Sequence, residues 1–407
     1  MQIEDLALQR SKYKHLTDDE WRWFLQQVEG RERTADKLPA FAAIEDWWYP
    51  VRLSCEQCSS ELAARYKASL VSGEKMADLT GGYGVDTYFL SEQFEHSDYV
   101  EQNAELCRIA AHNFRQPTQK MFYDRPLDAQ SGEALHPKGK EISVHCCTAE
   151  EFLQTAGQYD LIFVDPARRD SHGGKVFRLE DCTPNVVELL PTLLAHSKRL
   201  MLKLSPMLDL TQALKELSVF SLQWSVYVVA IKNEVKEVLL LSQRHNDKRP
   251  TITAIDLEKK DQAFVFTREE ESNSVAVLQQ SGLTSNSVSD LFLYEPNAAI
   301  LKAGAYKLVA ERFGLTKLDV NTHLYVSESL VADFPGRVWK IESEIKNQKF
   351  ARLSRSTEIT NANILCRNYP LTPEQLKKKL RLRDGGTDFV IGCRVNGKPT
   401  LFRAERV

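Results

Sequence analysis

The 407-residue chain has no run of about 18 to 20 apolar residues, so no segment of it is a candidate for a membrane-spanning helix. Its opening residues, Met-Gln-Ile-Glu-Asp-Leu, have neither a basic n-region nor an apolar h-region, which argues against a secretory leader. Eight cysteines are too few to staple a chain this long, so reduced thiols in a cytoplasmic protein are expected. Cys55 and Cys58 have metal-ligand spacing, but no second Cys/His pair stands at finger-like distance, and no metal is expected. Internal repeats and low-complexity tracts are also missing, which argues against solenoids and disordered tails.

What is present is ordinary in bulk and uneven in detail. At 43% hydrophobic and 27% charged residues the composition is globular, and 407 residues are too many for one core, so two or three domains are expected. The net charge of −3 hides an asymmetry: Leu301–Val407 carries +9 and the first 300 residues −12. A basic appendage on an acidic body is the electrostatic footprint of nucleic-acid binding, the plain alternative being a solvated charged face.

Residues 1–72 read as helical. Thr17-Asp18-Asp19-Glu20 caps a helix carrying Trp21, Trp23, Phe24 and Val28, Tyr49-Pro50 marks a break, and a second helical run spans Ser59–Leu70. Between 73 and 246 short apolar strands alternate with helices. The strands are Lys75–Leu79, Asp98–Glu101, Ile142–Cys146, Asp160–Asp165 and Leu200–Leu204. The helices are Thr87–Phe94, Asn103–Phe114, Ala149–Leu153, Pro184–His196 and Leu208–Leu217. That alternation predicts an α/β parallel sheet covered on both faces. Trp224–Ile231 and Val235–Ser242 lie too close together for a crossover helix and so form an antiparallel hairpin. A Rossmann-type sheet, mostly parallel but ending in such a hairpin, is similar to class I methyltransferases and unlike dinucleotide dehydrogenases.

Small α+β domains are expected beyond the sheet. Over 247–330, Arg249–Leu257 and Gln262–Phe266 read as strands, Glu269–Ser274 as a polar break, and Pro296–Gly304 and Tyr306–Phe313 as helices. Over 331–407, Thr372-Pro373-Glu374-Gln375 opens a basic helix through Arg383 that Asp384-Gly385-Gly386 stops. Phe389–Val395 and Pro399–Arg403 then pair across Asn396-Gly397.

The chemistry gathers at strand ends. Asp78-Leu-Thr80-Gly81-Gly82-Tyr-Gly84-Val-Asp86 joins a strand to a helix through three glycines, where a backbone can turn sharply and let a ligand approach. The third glycine of a dinucleotide fingerprint is missing. An acid before the turn suits the ammonium of S-adenosylmethionine (SAM), and Glu101, at the end of the second strand, suits the hydroxyls of a ribose. Asp165-Pro166-Ala167-Arg168-Arg169 ends the fourth strand at the switch point of such sheets. Its Asp-Pro resembles the Asn/Asp-Pro-Pro signature of methyltransferases acting on exocyclic amines of nucleobases, with Ala167 in place of the second proline and Arg168 in place of the aromatic. Arg168, Arg169 and Lys175, among glycines, suit phosphate contacts. Lys203 and Ser205 are placed to line the mouth, and Cys182 offers a thiolate reading that its neighbours do not match.

With Asp78-Leu-Thr-Gly-Gly-Tyr-Gly-Val-Asp86, Tyr99-Val-Glu101-Gln-Asn103 and Asp165-Pro-Ala-Arg-Arg169, the chain resembles bacterial class I SAM-dependent methyltransferases carrying a C-terminal THUMP-like domain. The resemblance runs from about Cys55 to the terminus. It implies a methyltransferase domain over 73–246, a ferredoxin-like domain over 247–330 and a THUMP-like, RNA-binding domain over 331–407. It implies that Asp78, Thr80, Gly81, Gly82, Gly84, Asp86, Glu101, Asn103 and Glu150 hold SAM, and that Asp165 and Pro166 position the substrate nitrogen. The expected substrate is tRNA or rRNA. Methylation of a small molecule or protein, or RNA binding without catalysis, stays open at this point.

Overall fold

The structure, a computed structural model, describes residues 6, 10–115, 133–135, 141–168, 178–218, 222–243, 249–259, 263–279, 288–345 and 360–407. The chain forms two compact units, one of Met1–Ser225 with Val238–Arg249 and one of Val226–Glu237 with Pro250–Val407. No helix among the described residues is long and apolar enough to cross a membrane.

The first unit begins with α1 (Asp18–Thr34), opened by a capping box between Thr17 and Glu20. Next come α2 (Arg52–Gln57) and α3 (Glu61–Ser69), the latter capped by Ser60. Aromatics in this N-terminal region pack against the glycine turn and its helix. Phe41 stacks on Phe89 at 5.6 Å between centroids, and Trp47 Nε1 donates to the Tyr83 hydroxyl at 2.9 Å. Trp47 thus helps anchor the turn.

The sheet is laid down by β1 (Lys75–Asp78), β2 (His96–Glu101), β3 (Glu133–Leu135), β4 (Glu141–Cys146), β5 (Leu161–Val164) and β6 (Leu200–Leu204). Between them run α4 (Val85–Ser91), α5 (Ala104–Asn113), α6 (Ala149–Leu153) and α7 (Val186–His196), and α8 (Leu210–Leu217) comes after β6. β1 pairs parallel with both β2 and β5, β2 with β4, and β5 with β6. Strand order therefore reverses between β1 and β5, and a doubly wound sheet binds its ligand at that reversal, beyond the strands' C-terminal ends. The edge strand β3, antiparallel to β4, has no counterpart in the sequence reading.

β7 (Gln223–Ile231) and β8 (Glu234–Gln243) are joined by Lys232 and Asn233, both at positive φ, as a tight hairpin turn demands. β8 runs antiparallel to β6, with Val238 opposite Leu204. The expected closing of a parallel sheet by an antiparallel strand is what the structure shows.

In the second unit β7 pairs parallel with β9 (Ile252–Asp256), which pairs antiparallel with β10 (Phe264–Phe266). The predicted polar break at 269–274 is instead helix α9 (Arg268–Asn273). Thr267 and Glu270 form a capping box, and this local signal outweighs the polarity of the segment.

A seven-stranded sheet completes the unit. Its strands are β11 (Phe292–Pro296), β12 (Thr316–Asp319), β13 (Thr322–Ser327), β14 (Gly336–Glu344), β15 (Asn363–Cys366), β16 (Asp388–Val395) and β17 (Lys398–Arg406), in the order β12-β13-β11-β14-β17-β16-β15. Two short helices, α10 (Ala298–Ala303) and α11 (Leu308–Phe313), each end on a left-handed glycine. The basic helix α12 (Pro373–Leu380) buries Leu376 and Leu380 and stops three residues earlier than predicted, with Arg381 as a left-handed cap at φ +56°. Asn396 and Gly397, both at positive φ, turn β16 into β17.

Candidate active site

The site starts from a backbone that cannot be built from larger residues. A Cβ on Gly81 would lie 2.2 Å from the Tyr99 ring, and Gly82 and Gly84 hold φ of +54° and +85°. The Tyr99 hydroxyl donates to the Gly82 carbonyl at 2.6 Å, clamping the turn to β2. Gly84 then serves as N-cap of α4. The turn borders a cavity of about 330 Å³ at the C-terminal ends of β1, β2, β5 and β6.

Asp78 closes β1 almost fully buried. Its Oδ2 accepts from Thr87 Oγ1 at 2.6 Å and its Oδ1 from the Thr80 amide at 3.0 Å. Burial dominates these bonds and pushes its carboxyl up to about 7. Glu101 faces the turn from β2. Its Oε2 accepts from the Gly82 amide at 2.9 Å and its Oε1 from the Asn103 amide at 2.8 Å. Both oxygens are thereby oriented, and each keeps a further lone pair.

Thr80 ties the two halves of the site together, its Oγ1 accepting from the Asp165 amide at 2.7 Å. The Asp165 carboxylate meets Lys203 of β6, with Oδ2 2.5 Å from Nζ. Lys203 Nζ also lies 3.3 Å from Asp86 Oδ2. Lys67, fully buried, approaches Asp86 Oδ1 at 3.2 Å, and Ser59 donates to its Oδ2 at 2.8 Å. Burial would raise Asp86, but the two lysines outweigh it and hold the carboxyl down at about 2.

Of the residues singled out from sequence, Asp78, Thr80, Gly81, Gly82, Gly84, Asp86, Glu101, Glu150, Asp165 and Lys203 all border this one cavity. Asn103 and Pro166 do not line it. Asn103 Oδ1 caps α5, accepting from the amides of Glu105 and Leu106. The backbone of Arg168 pairs with Cys182, while Arg169 and Lys175 lie outside the described residues. Cys182 is buried and not part of the lining. Ser205 is likewise not part of it. Sequence reasoning missed the wall formed by Ser54, Gln57, Cys58 and Ser59, and the buried Lys67 behind it. Cys58 is pushed up by burial, so its thiol stays protonated at neutral pH.

Whether SAM fits can be judged from charge and shape. The lining presents five acidic side chains, Asp78, Asp86, Glu101, Glu150 and Asp165, against a single cation among its described residues, Lys203. Such a wall suits a ligand of net positive charge, and SAM carries a sulfonium and an ammonium against one carboxylate. The close-packed turn admits a ligand against bare backbone, and Glu101 offers oriented acceptors to a diol. The residues fit.

Fold and site define a class I methyltransferase. A crystal structure from Porphyromonas gingivalis W83, of a protein assigned as a methyltransferase, is 32% identical to this chain, covers 96% of it and 92% of its own length, and superposes with a TM-score of 0.80. A ferredoxin-like domain family matches residues 292–335 and a THUMP domain-like family matches residues 336–406. The chain belongs to the bacterial class I SAM-dependent methyltransferases that carry a C-terminal THUMP-like domain.

Two other solved structures overlap only loosely. An rRNA methylase from Streptococcus thermophilus is 10% identical over 45% of this chain and 94% of its own, with a TM-score of 0.30. A Streptococcus mutans protein in complex with SAH is 11% identical over 45% and 95%, also at 0.30. Neither bears weight here. No curated protein matches the chain.

Proposed function

We propose that the protein transfers a methyl group from SAM to a base nitrogen of tRNA or rRNA in the cytoplasm. The observation that carries this reading is the shared cavity: the glycine turn with Glu101 on one side, and Asp165 at the end of β5 on the other. When bound, SAM supplies an already activated methyl on its sulfonium, so the protein's task is alignment more than activation. Gly81, Gly82 and Gly84 give close approach, Asp78 meets the ammonium and Glu101 the ribose. Asp165 accepts a hydrogen bond from the substrate amine, which aligns the nitrogen lone pair, and Pro166 stiffens the backbone that presents it. The proton shed by the amine is accepted at the Asp165 carboxylate or passed to water. Arg168, Arg169 and Lys175 contact RNA phosphates.

Asp78 makes the cofactor half testable by pH. A carboxyl raised from 3.8 to about 7 favours the ligand-free fold most below about pH 4, a contribution lost as pH rises through 7. An ammonium placed beside it favours the ionised form. SAM binding is therefore expected to release close to one proton near pH 6, with affinity rising by at most about tenfold per pH unit between pH 5 and 7. Titration calorimetry in buffers of different ionisation enthalpy reads the proton, and Asp78→Asn removes both effects. Binding that releases no proton would place the ammonium elsewhere.

RNA is testable by salt. Lys378, Lys379, Arg381, Arg383, Lys398 and Arg406 are exposed on the THUMP-like domain. With each meeting a phosphate alongside Arg168, Arg169 and Lys175, log affinity against log salt has a slope of about −6, measured by fluorescence anisotropy on bulk tRNA and rRNA. A flat response would favour a small-molecule or protein substrate.

A further inference from the structure

We infer that Lys203 is a positioning residue that neutralises Asp165, and that it thereby sets how strongly the site prefers SAM over its demethylated product SAH. The inference rests on the SAM reading and adds a role to a residue outside it. Its starting point is that Lys203 has a duty Lys67 cannot share. Both lysines serve Asp86, which keeps Lys67 Nζ at 3.2 Å and Ser59 Oγ at 2.8 Å whatever happens to Lys203. Among the described residues Asp165 has no such second support. Among the described residues, Lys203 Nζ at 2.5 Å is the cation that pairs with its carboxylate. Lys203 itself is 12% exposed, held between Asp86 in the first turn of α4 and Asp165 just past the end of β5.

SAM and SAH differ by one methyl group and one positive charge. A bare carboxylate beside the transfer point would stabilise the sulfonium before reaction and lose that stabilisation as the charge is discharged, which works against turnover. A carboxylate already paired with an ammonium is close to neutral at a distance while keeping a lone pair for the substrate amine. The pair thus lets Asp165 orient the nucleophile without binding the cofactor's charge too tightly.

The test needs no RNA substrate. SAM and SAH are titrated by calorimetry into the full chain, the wild type beside Lys203→Met, Lys203→Gln, Lys203→Arg and the double variant Asp165→Asn/Lys203→Met. The neutral variants are expected to shift the ratio of the two affinities toward SAM by about tenfold. Arginine restores the wild-type ratio. The double variant restores it too, because the unpaired carboxylate is gone; a merely structural lysine would not show that reversal. Melting temperatures identify a variant that fails to fold, and the glutamine variant preserves polarity at the site should methionine unfold it. An unchanged ratio in the single neutral variants, or an equal shift in the single and double variants, overturns the inference while leaving the cofactor assignment intact. Failure of the wild type to bind either ligand overturns the cofactor assignment and the inference together.

Discussion

Asp165→Ala lowers methyl transfer about 10²–10³-fold, the scale on which single aligned polar groups act in transition states. SAM affinity falls by no more than about tenfold, since the glycine turn, Asp78 and Glu101 are untouched. Lys203 also keeps Asp86 as its partner at 3.3 Å. This split between turnover and binding separates a residue that faces the substrate from one that holds the cofactor. Single-turnover rates on RNA from cells lacking the protein, set beside SAM calorimetry, measure both. Turnover at the wild-type rate would remove Asp165 from the mechanism, and loss of SAM binding in a folded variant would move it to the cofactor side.

Glu101→Ala should do the reverse. Two charge-assisted hydrogen bonds to a ribose are lost, each worth about 1.5–3 kcal/mol and not fully additive, so SAM affinity falls about 10²–10³-fold. The same change frees the Gly82 amide, now held at 2.9 Å, and loosens the turn. Transfer at saturating SAM falls much less. Glu101→Gln, able to accept at one oxygen only, lies between. Equal SAM affinity in wild type and Glu101→Ala would mean that no ribose reaches this carboxylate.

Much of the fold and site is legible in the sequence because the signals are local. Asp78 to Gly84 is a contiguous turn, Glu101 stands at the end of the next strand, and Asp165-Pro166 ends an unbroken apolar run. The hairpins at Lys232-Asn233 and at Asn396-Gly397 are likewise dictated by short loops. Hidden features depend on distant segments meeting. Ser54–Ser59 and Lys67 lie before the first strand, and nothing in their local pattern says that they wall the cavity or reach Asp86. Lys203 could be placed at the mouth, but its pairing with both Asp86 and Asp165 needed the strand order β1-β5-β6. Asn103 reads two ways for a related reason, since an Asn beside a ribose-type Glu is equally a helix N-cap, and its Oδ1 caps α5. The segment 269–274 shows the opposite failure: its polarity hid a capping box that was in plain view.

The most direct test of a SAM-dependent RNA methyltransferase uses trideuteromethyl-SAM. RNA from a strain lacking the protein is incubated with the full chain, digested to nucleosides and analysed by mass spectrometry, with Asp165→Ala in parallel. The expected product is one nucleoside carrying a trideuteromethyl group on a base nitrogen, in tRNA or rRNA, with the wild type and not with the variant. Absence of any labelled nucleoside, from a wild-type protein that binds SAM, would contradict this function.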